Sequence, residues 1–355
     1  MSILPVTVLT GFLGAGKSTL LQEVLNDPAF ARTAVIVNEF GEVGLDNALV
    51  VGGAEQLVTM TSGCLCCTIR GDIRTTLTDL LERRAAGSVA PFERVVVETT
   101  GLADPAPVIH TLMADPSLAG ACGLGGVVTV VDTVHGAATL ERHPESVKQV
   151  AVADRIVLSK TELARDPASR RDLDALRADL RRLNPAAPMI ERHAPDFSCA
   201  RLFDTALYDP RTKSADVRRW LAAEALEEAH GHRHHHHDAN RHGADIEAFC
   251  ITFEKPMDPL RLAVALELLA GHQGDDLLRV KGIVHMSDDP ERPLVIHGVQ
   301  HIFHKPVRLP SWPVEDRRTR LVFITRGIQR ETIDRYLAAW RGEDMSSWRP
   351  PGTAG

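Results

Sequence analysis

Along the 355-residue chain, short unbroken apolar runs alternate with stretches in which apolar residues return every three or four positions. The runs Ile3–Leu9, Thr33–Val37, Arg94–Glu98, Val127–Asp132 and Arg155–Leu158 predict buried strands, with a short apolar piece at Met189-Ile190. Helical spacing joins Leu20, Leu21, Val24 and Leu25, then Ile73, Leu77, Leu80 and Leu81. It recurs at Val108, Ile109, Leu112 and Met113, and at Leu173, Leu176, Leu180 and Leu183. Strands alternating with helices predict an α/β domain over residues 1–200, a mostly parallel sheet flanked by helices with ligands at its carboxyl edge. Residues 201–243 show no strand pattern and read as a linker with one helix around Val217, Trp220, Leu221 and Ala225. From 244 to 355, strands are expected at 248–253, 277–284, 293–299, 301–309 and 320–325. They accompany one helix with Leu260, Val264 and Leu268 on one side and a last helix carrying Ile333, Tyr336, Leu337 and Trp340. That pattern predicts a smaller α+β domain.

Polar residues at the strand ends supply candidate chemistry. After the first strand, Gly11-Phe12-Leu13-Gly14-Ala15-Gly16-Lys17-Ser18-Thr19 fits the phosphate-loop pattern G-x-x-x-x-G-K-[ST] and runs straight into a helix. Glycine-rich backbone turns N–H groups toward phosphate oxygens, and the helix adds the positive end of its dipole. Lys17 is expected on the β- and γ-phosphates, Ser18 on Mg²⁺, and Thr19 within reach of a phosphate. Another apolar strand ends in Glu98, the position at which phosphate-loop enzymes keep the acid that orients Mg²⁺ and its waters. It continues as Thr99-Thr100-Gly101-Leu102, so leucine stands where a water-orienting glutamine would follow the glycine, and unaided hydrolysis is expected to be slow. Asp104 is expected to cap the helix opened by Pro105. Ser159-Lys160-Thr161-Glu162 occupies the strand end that reads N-K-x-D in guanine-nucleotide-binding proteins. A carboxylate there accepts from guanine N1–H and N2–H₂, and adenine offers no such pair. The longer Glu162 can form the same fork, with less certain base selectivity.

Three further clusters suggest metal chemistry. Glu39, Glu42 and Asp46 form a glycine-spaced acidic loop placed to close over Mg²⁺ and the γ-phosphate or to hold a second metal, the alternative being a solvated turn. Cys64, Cys66 and Cys67 precede a helix, whose dipole lowers thiol pKa. Three thiolates suit Zn²⁺ or another borderline ion and leave one tetrahedral corner for a carboxylate, water or acceptor protein. A redox pair, or small residues packed beneath the sheet, are the alternatives. His230, His232, His234, His235, His236, His237 and His242 crowd the linker. Imidazoles on such a segment chelate Zn²⁺, Co²⁺ or Ni²⁺ with low selectivity, against the alternative of a plain polar linker. Cys122, Cys199 and Cys250 stand alone and read as core residues.

Composition narrows the class. A net charge of −7 argues against a nucleic-acid or acidic-membrane partner. The first apolar run lacks preceding basic residues and reads as a core strand rather than a secretion signal. No run approaches the ~20 apolar residues of a membrane span. Six cysteines, three of them within four positions, suit a reducing cytoplasm rather than a disulfide framework.

With GFLGAGKST, NEFGEVGLD, GCLCC, ETTGLADP and SKTE in this order, the sequence resembles the CobW family of metallochaperone GTPases. More distant relatives are the nickel-insertion GTPases of urease and hydrogenase. The resemblance is strong over the first ~200 residues and weaker beyond. It implies GTP hydrolysis coupled to delivery of a metal, zinc usually and cobalt in some members, to a client metalloprotein. It places the metal on Cys64, Cys66 and Cys67, the phosphates on Gly14 to Thr19, and the Mg²⁺-associated acid at Glu98. Glu162 departs from the usual Asp. Cobalt delivery, a phosphate-loop kinase and a metal store are the competing functions, and the oligomeric state, a homodimer included, stays open.

Overall fold

The computed structural model describes residues 3–38, 57–59, 65–69, 72–118, 120–203, 217 and 246–341. The chain divides into two compact units, Met1–Ala244 and Asp245–Gly355.

The first unit is built on an eight-stranded sheet. Its strands in chain order are β1 Leu4–Gly11, β2 Thr33–Asn38, β3 Leu57–Thr59, β4 Leu65–Ile69, β5 Arg94–Glu98, β6 Cys122–Asp132, β7 Arg155–Ser159 and β8 Met189–Glu191. Spatially they run β3-β4-β2-β5-β1-β6-β7-β8, and each neighbouring pair is parallel except β3 with β4. Seven helices accompany these strands among the described residues: α1 Lys17–Asn26, α2 Ile73–Ala85, α3 Ala106–Ala114, α4 Gly136–Arg142, α5 Pro144–Ala151, α6 Pro167–Leu183 and α7 Cys199–Phe203. The parallel α/β architecture is the one expected from the alternating pattern. β1 sits mid-sheet and is buried at all positions but Pro5, which explains its unbroken apolar run. On α1, Leu20, Leu21, Val24 and Leu25 are buried, each contributing about 1.5–3 kcal/mol of transfer free energy.

Two parts of this unit were not foreseen. The β3–β4 pair lies in a stretch without a marked apolar run, and β4 carries Cys66 and Cys67 on a strand, with α2 beginning only at Ile73 behind its N-cap Asp72. The helices α4 and α5 are too short to repeat an apolar spacing. α6 is as expected, with Leu173, Leu176, Leu180 and Leu183 buried. Its start is set by Asp166, which accepts from Ala168 N and Ser169 N at 2.8 and 3.1 Å. At its far end, Asn184 Nδ2 donates to the carbonyls of Val150, Ala151 and Ala153 at 2.8, 3.1 and 2.9 Å, pinning the end of α5.

The second unit is antiparallel: β9 Ile246–Phe253, α8 Pro259–Gln273, β10 Arg279–Val284, β11 Leu294–Val299, β12 Ile302–Phe303, β13 Val307–Arg308, β14 Thr319–Arg326 and α9 Arg330–Arg341. The sheet order is β12-β11-β10-β14-β9, with β13 also on β11. Its α+β class matches expectation, but two details differ. The single strand expected at 301–309 is two short ones. The helix α8 buries Leu262, Ala265, Leu266 and Leu269, while Leu260, Val264 and Leu268 are exposed. Apolar residues surround that helix, so spacing alone does not choose its packed face. Arg279 and Lys281 are buried, because every position of the central strand β10 is covered, and His297 of the neighbouring β11 is buried as well.

Candidate functional site

The carboxyl ends of β1, β5, β6 and β7 bring the predicted phosphate-site residues to one edge of the sheet. β1 leads through Gly11 into the loop that α1 closes at Lys17. Gly11 has φ 142°, and a Cβ there would lie 2.3 Å from Val130 O, so only glycine lets this loop leave the sheet beside β6. Lys17 is buried and donates from Nζ to Gly11 O at 2.8 Å and Phe12 O at 3.2 Å. Burial lowers its pKa from the ordinary lysine value, and the Glu98 charge opposes that shift. An ammonium tied only to loop carbonyls is well placed to exchange them for phosphate oxygens.

Ser18 and Glu98 meet at the end of β5. Ser18 Oγ donates to Glu98 Oε1 at 2.9 Å, across 80 positions of sequence. The strand register explains the meeting: Glu98 stands opposite Leu9 of β1, just before the phosphate loop. A hydroxyl and a carboxylate held together in this way fit the donor set of Mg²⁺, a hard cation that prefers oxygen. Next to Glu98, Thr99 Oγ1 donates to Thr10 Oγ1 at 2.8 Å within the core. The following loop then passes so near the phosphate loop that a Cβ on Gly101 would lie 2.6 Å from Leu13 N. Leu102 is exposed, and Asp104 Oδ1 accepts from Ala106 N at 2.9 Å at the start of α3.

At the end of β7 the residues divide their roles. Ser159, buried, donates to Ala15 O at 2.7 Å and so braces the phosphate loop. Lys160 adopts the left-handed conformation with φ 62° and pairs with Asp132 Oδ2 at 2.6 Å. Glu162 is half-exposed, and its Oε2 lies 3.3 Å from His193 Nε2. Gly14, Ala15, Asp132, His135 and Lys160 are among the residues lining a cavity of about 260 Å³ that runs beside the loop toward α4 and α5.

The remaining predicted ligands fall elsewhere. Glu39, Glu42, Asp46, Cys64, His232, His234, His235, His236 and His237 lie outside the described residues. Cys66 and Cys67 are placed by backbone register: Cys66 pairs with Val35 and Cys67 with Ile36, two strands from β5, where Ile36 also faces Val97. Among the described residues no group of three His, Cys, Asp or Glu side chains is disposed to hold a metal. Cys122 and Cys199 are buried, as read for core cysteines, and Cys250 is half-buried. Among the described residues no helix is long and apolar enough to cross a membrane.

Sequence reasoning missed the supporting groups. Asp132 was legible only as the end of a strand, yet it anchors Lys160 and accepts from Val134 N at 2.8 Å. Arg192 reaches back from the end of β8 to Glu23 of α1, with Nε 3.0 Å from Oε2. Such partners lie far apart in sequence, and no local spacing marks them.

Comparison with known proteins supports the same reading. The CobW/HypB/UreG nucleotide-binding domain profile matches residues 5–191, and that of the cobalamin synthesis protein cobW C-terminal domain matches residues 246–341. The chain is 33% identical to zinc chaperone YjiA of Escherichia coli, over 96% of this chain and 100% of that protein. It is 30% identical to zinc chaperone CobW of Pseudomonas aeruginosa, over 94% and 90% respectively. The crystal structure of Zn(II)-bound YjiA GTPase from E. coli superposes with a TM-score of 0.72 at 31% identity, covering 96% of this chain and 100% of that one.

Proposed function

Since the chain belongs to the CobW family, we propose that this GTPase carries a transition metal, zinc first among candidates, and releases it to a client metalloprotein under control of its nucleotide state. The observation that carries the proposal is the register of the sheet. Glu98 pairs with Val37, and Val37 with Thr68, so the residue after Cys67 lies in the same row as the Mg²⁺-associated acid. Two strand spacings separate them, about 10 Å. A shift of β5 on nucleotide exchange is therefore only one strand removed from the segment that follows Cys64. Zinc chaperones among the relatives favour zinc as cargo, and relatives named as GTPases favour hydrolysis over phosphoryl transfer to a small molecule.

In the proposed cycle, Lys17 leaves Gly11 O and Phe12 O for the β- and γ-phosphate oxygens, while backbone N–H groups from Gly14 to Thr19 take the remaining phosphate lone pairs. Ser18 and Glu98 are the residues that would hold Mg²⁺, directly and through water. When bound, that ion neutralises charge on the β- and γ-phosphates. Ser159 keeps Ala15 in place, and Glu162 faces the base. With Leu102 at the position after Gly101, water is oriented weakly and turnover is slow until a partner or the metal completes the site. Cys64, Cys66 and Cys67 grip the cargo, the acidic residues Glu39, Glu42 and Asp46 respond to the γ-phosphate, and the linker histidines collect metal for transfer.

Metal analysis of the untagged protein tests this directly. We expect close to one zinc per chain in wild type and loss of that zinc in Cys66→Ser. Equal zinc in both would remove the thiolate site from the proposal.

A further inference from the structure

The helix α5 touches both halves of the phosphate site. Its Gln149, 1% exposed, donates from Nε2 to Gly101 O at 3.2 Å and to Ala103 O at 3.0 Å. One residue earlier, Lys148 Nζ pairs with Asp104 Oδ2 at 2.8 Å. Two side chains of one helix thus hold three of the four residues Gly101 to Asp104 in the loop that follows Glu98. At the start of α5, His143 lies against Phe12 of the phosphate loop, with ring centroids 4.4 Å apart.

The helix itself is fixed. Thr129 Oγ1 of β6 donates to Gln149 O at 2.7 Å, and Asn184 secures the turn after it with three bonds. A grip mounted on an anchored helix resists displacement of the loop. What it holds matters for chemistry. Gly101 packs against Leu13 of the phosphate loop and donates its N–H to no group among the described residues. A backbone N–H at that place is a donor for the terminal phosphate, and its value depends on being aimed before the substrate arrives.

We propose that Gln149 and Lys148 are positioning residues for GTP hydrolysis, holding Gly101 to Asp104 against the phosphate loop so that the Gly101 N–H meets the γ-phosphate. The amide spends both donors on the loop's carbonyls, and its buried Oε1 has no partner among the described residues. The inference rests on the GTPase reading and is independent of the metal.

The test uses the full chain with Mg²⁺ and compares wild type, Gln149→Leu, Lys148→Ala, Lys148→Arg and Asp104→Ala for turnover and for affinities of GDP and a β,γ-imido GTP analogue. GDP lacks the phosphate that Gly101 would contact, so a merely structural role weakens both nucleotides alike. For Gln149→Leu we expect the analogue affinity and kcat each to fall about tenfold, with GDP affinity held within about twofold. Lys148→Ala and Asp104→Ala should show the same pattern more weakly and combine non-additively, and Lys148→Arg should restore kcat. The half-exposed Lys148–Asp104 pair keeps the test informative if Gln149→Leu does not fold. Equal loss of GDP and analogue binding, or unchanged kcat in folded variants, would overturn the proposal. A wild-type chain that leaves GTP intact would instead sink the GTPase reading on which it rests.

Discussion

Lys17 holds a charge where burial disfavours it, compensated by two loop carbonyls and by the nearby Glu98. Replacing it with Ala should lower GTP turnover by about 100-fold or more, as for loss of one preorganised donor, with the far-ultraviolet spectrum unchanged. Glu162 leads to a different expectation. Its Oε2 lies 3.3 Å from His193 Nε2, and guanine N1–H and N2–H₂ are its proposed ligands. Glu162→Gln should therefore narrow the preference for GTP over ITP, measured as a ratio of kcat/KM. An unchanged ratio would mean that the base is read elsewhere. The Cys122 thiol, pushed up to about 11 by burial, should resist alkylation in the folded protein at neutral pH and react only after denaturation. Residues whose chemistry depends on close spacing, such as Lys17 and Ser18, were legible in sequence. Glu98 was legible too, because an apolar strand announced it. Asp132, Gln149 and Arg192 were not, because each acts through a partner at least 28 positions away.

At the level of elements, the sheet places the chemistry and the loops tune it. The close approach of the Glu98 loop to the phosphate loop demands a residue without a side chain, since a Cβ on Gly101 would overlap Leu13 N and Cα at 2.6 and 2.8 Å. Gly101→Ala should push the two loops apart. The expected result is a fall in kcat of about tenfold or more with a drop in melting temperature of only a few degrees, because Leu13, the residue the new methyl would displace, is exposed. Strands and long helices were readable from pattern because their burial is one-sided or complete over several residues. The helix α8 shows the limit: an apolar surface all round left Leu260, Val264 and Leu268 as plausible inward residues, and packing chose Leu262, Leu266 and Leu269 instead. Short α4 and α5 were invisible for the opposite reason, having too few turns to establish a period. The strand β4 escaped notice because cysteines and a threonine interrupt its apolar character.

Across the whole chain, the two units respond differently to conditions. In the second, Arg318 donates to Asp316, and with Arg320 it holds the carboxyl well below the usual range. A lowered folded pKa contributes stability that is present above the ordinary carboxylate value and lost as pH falls below it. Asp316→Asn should thus lower the melting temperature at neutral pH and flatten the acid limb of the melting profile, the two proteins converging as pH falls. In the first unit, the nucleotide edge and the β4 segment share one sheet, and coupled delivery requires that they share one equilibrium. By linkage, metal must change nucleotide affinity by the same factor that nucleotide changes metal affinity. The decisive measurement is the zinc dissociation constant of the full chain, by chelator competition with Mg²⁺ present, in the GDP-bound and GTP-analogue-bound forms. We predict a difference of roughly fivefold or more between them, abolished by Cys66→Ser. The same zinc affinity in both nucleotide forms would contradict coupled delivery.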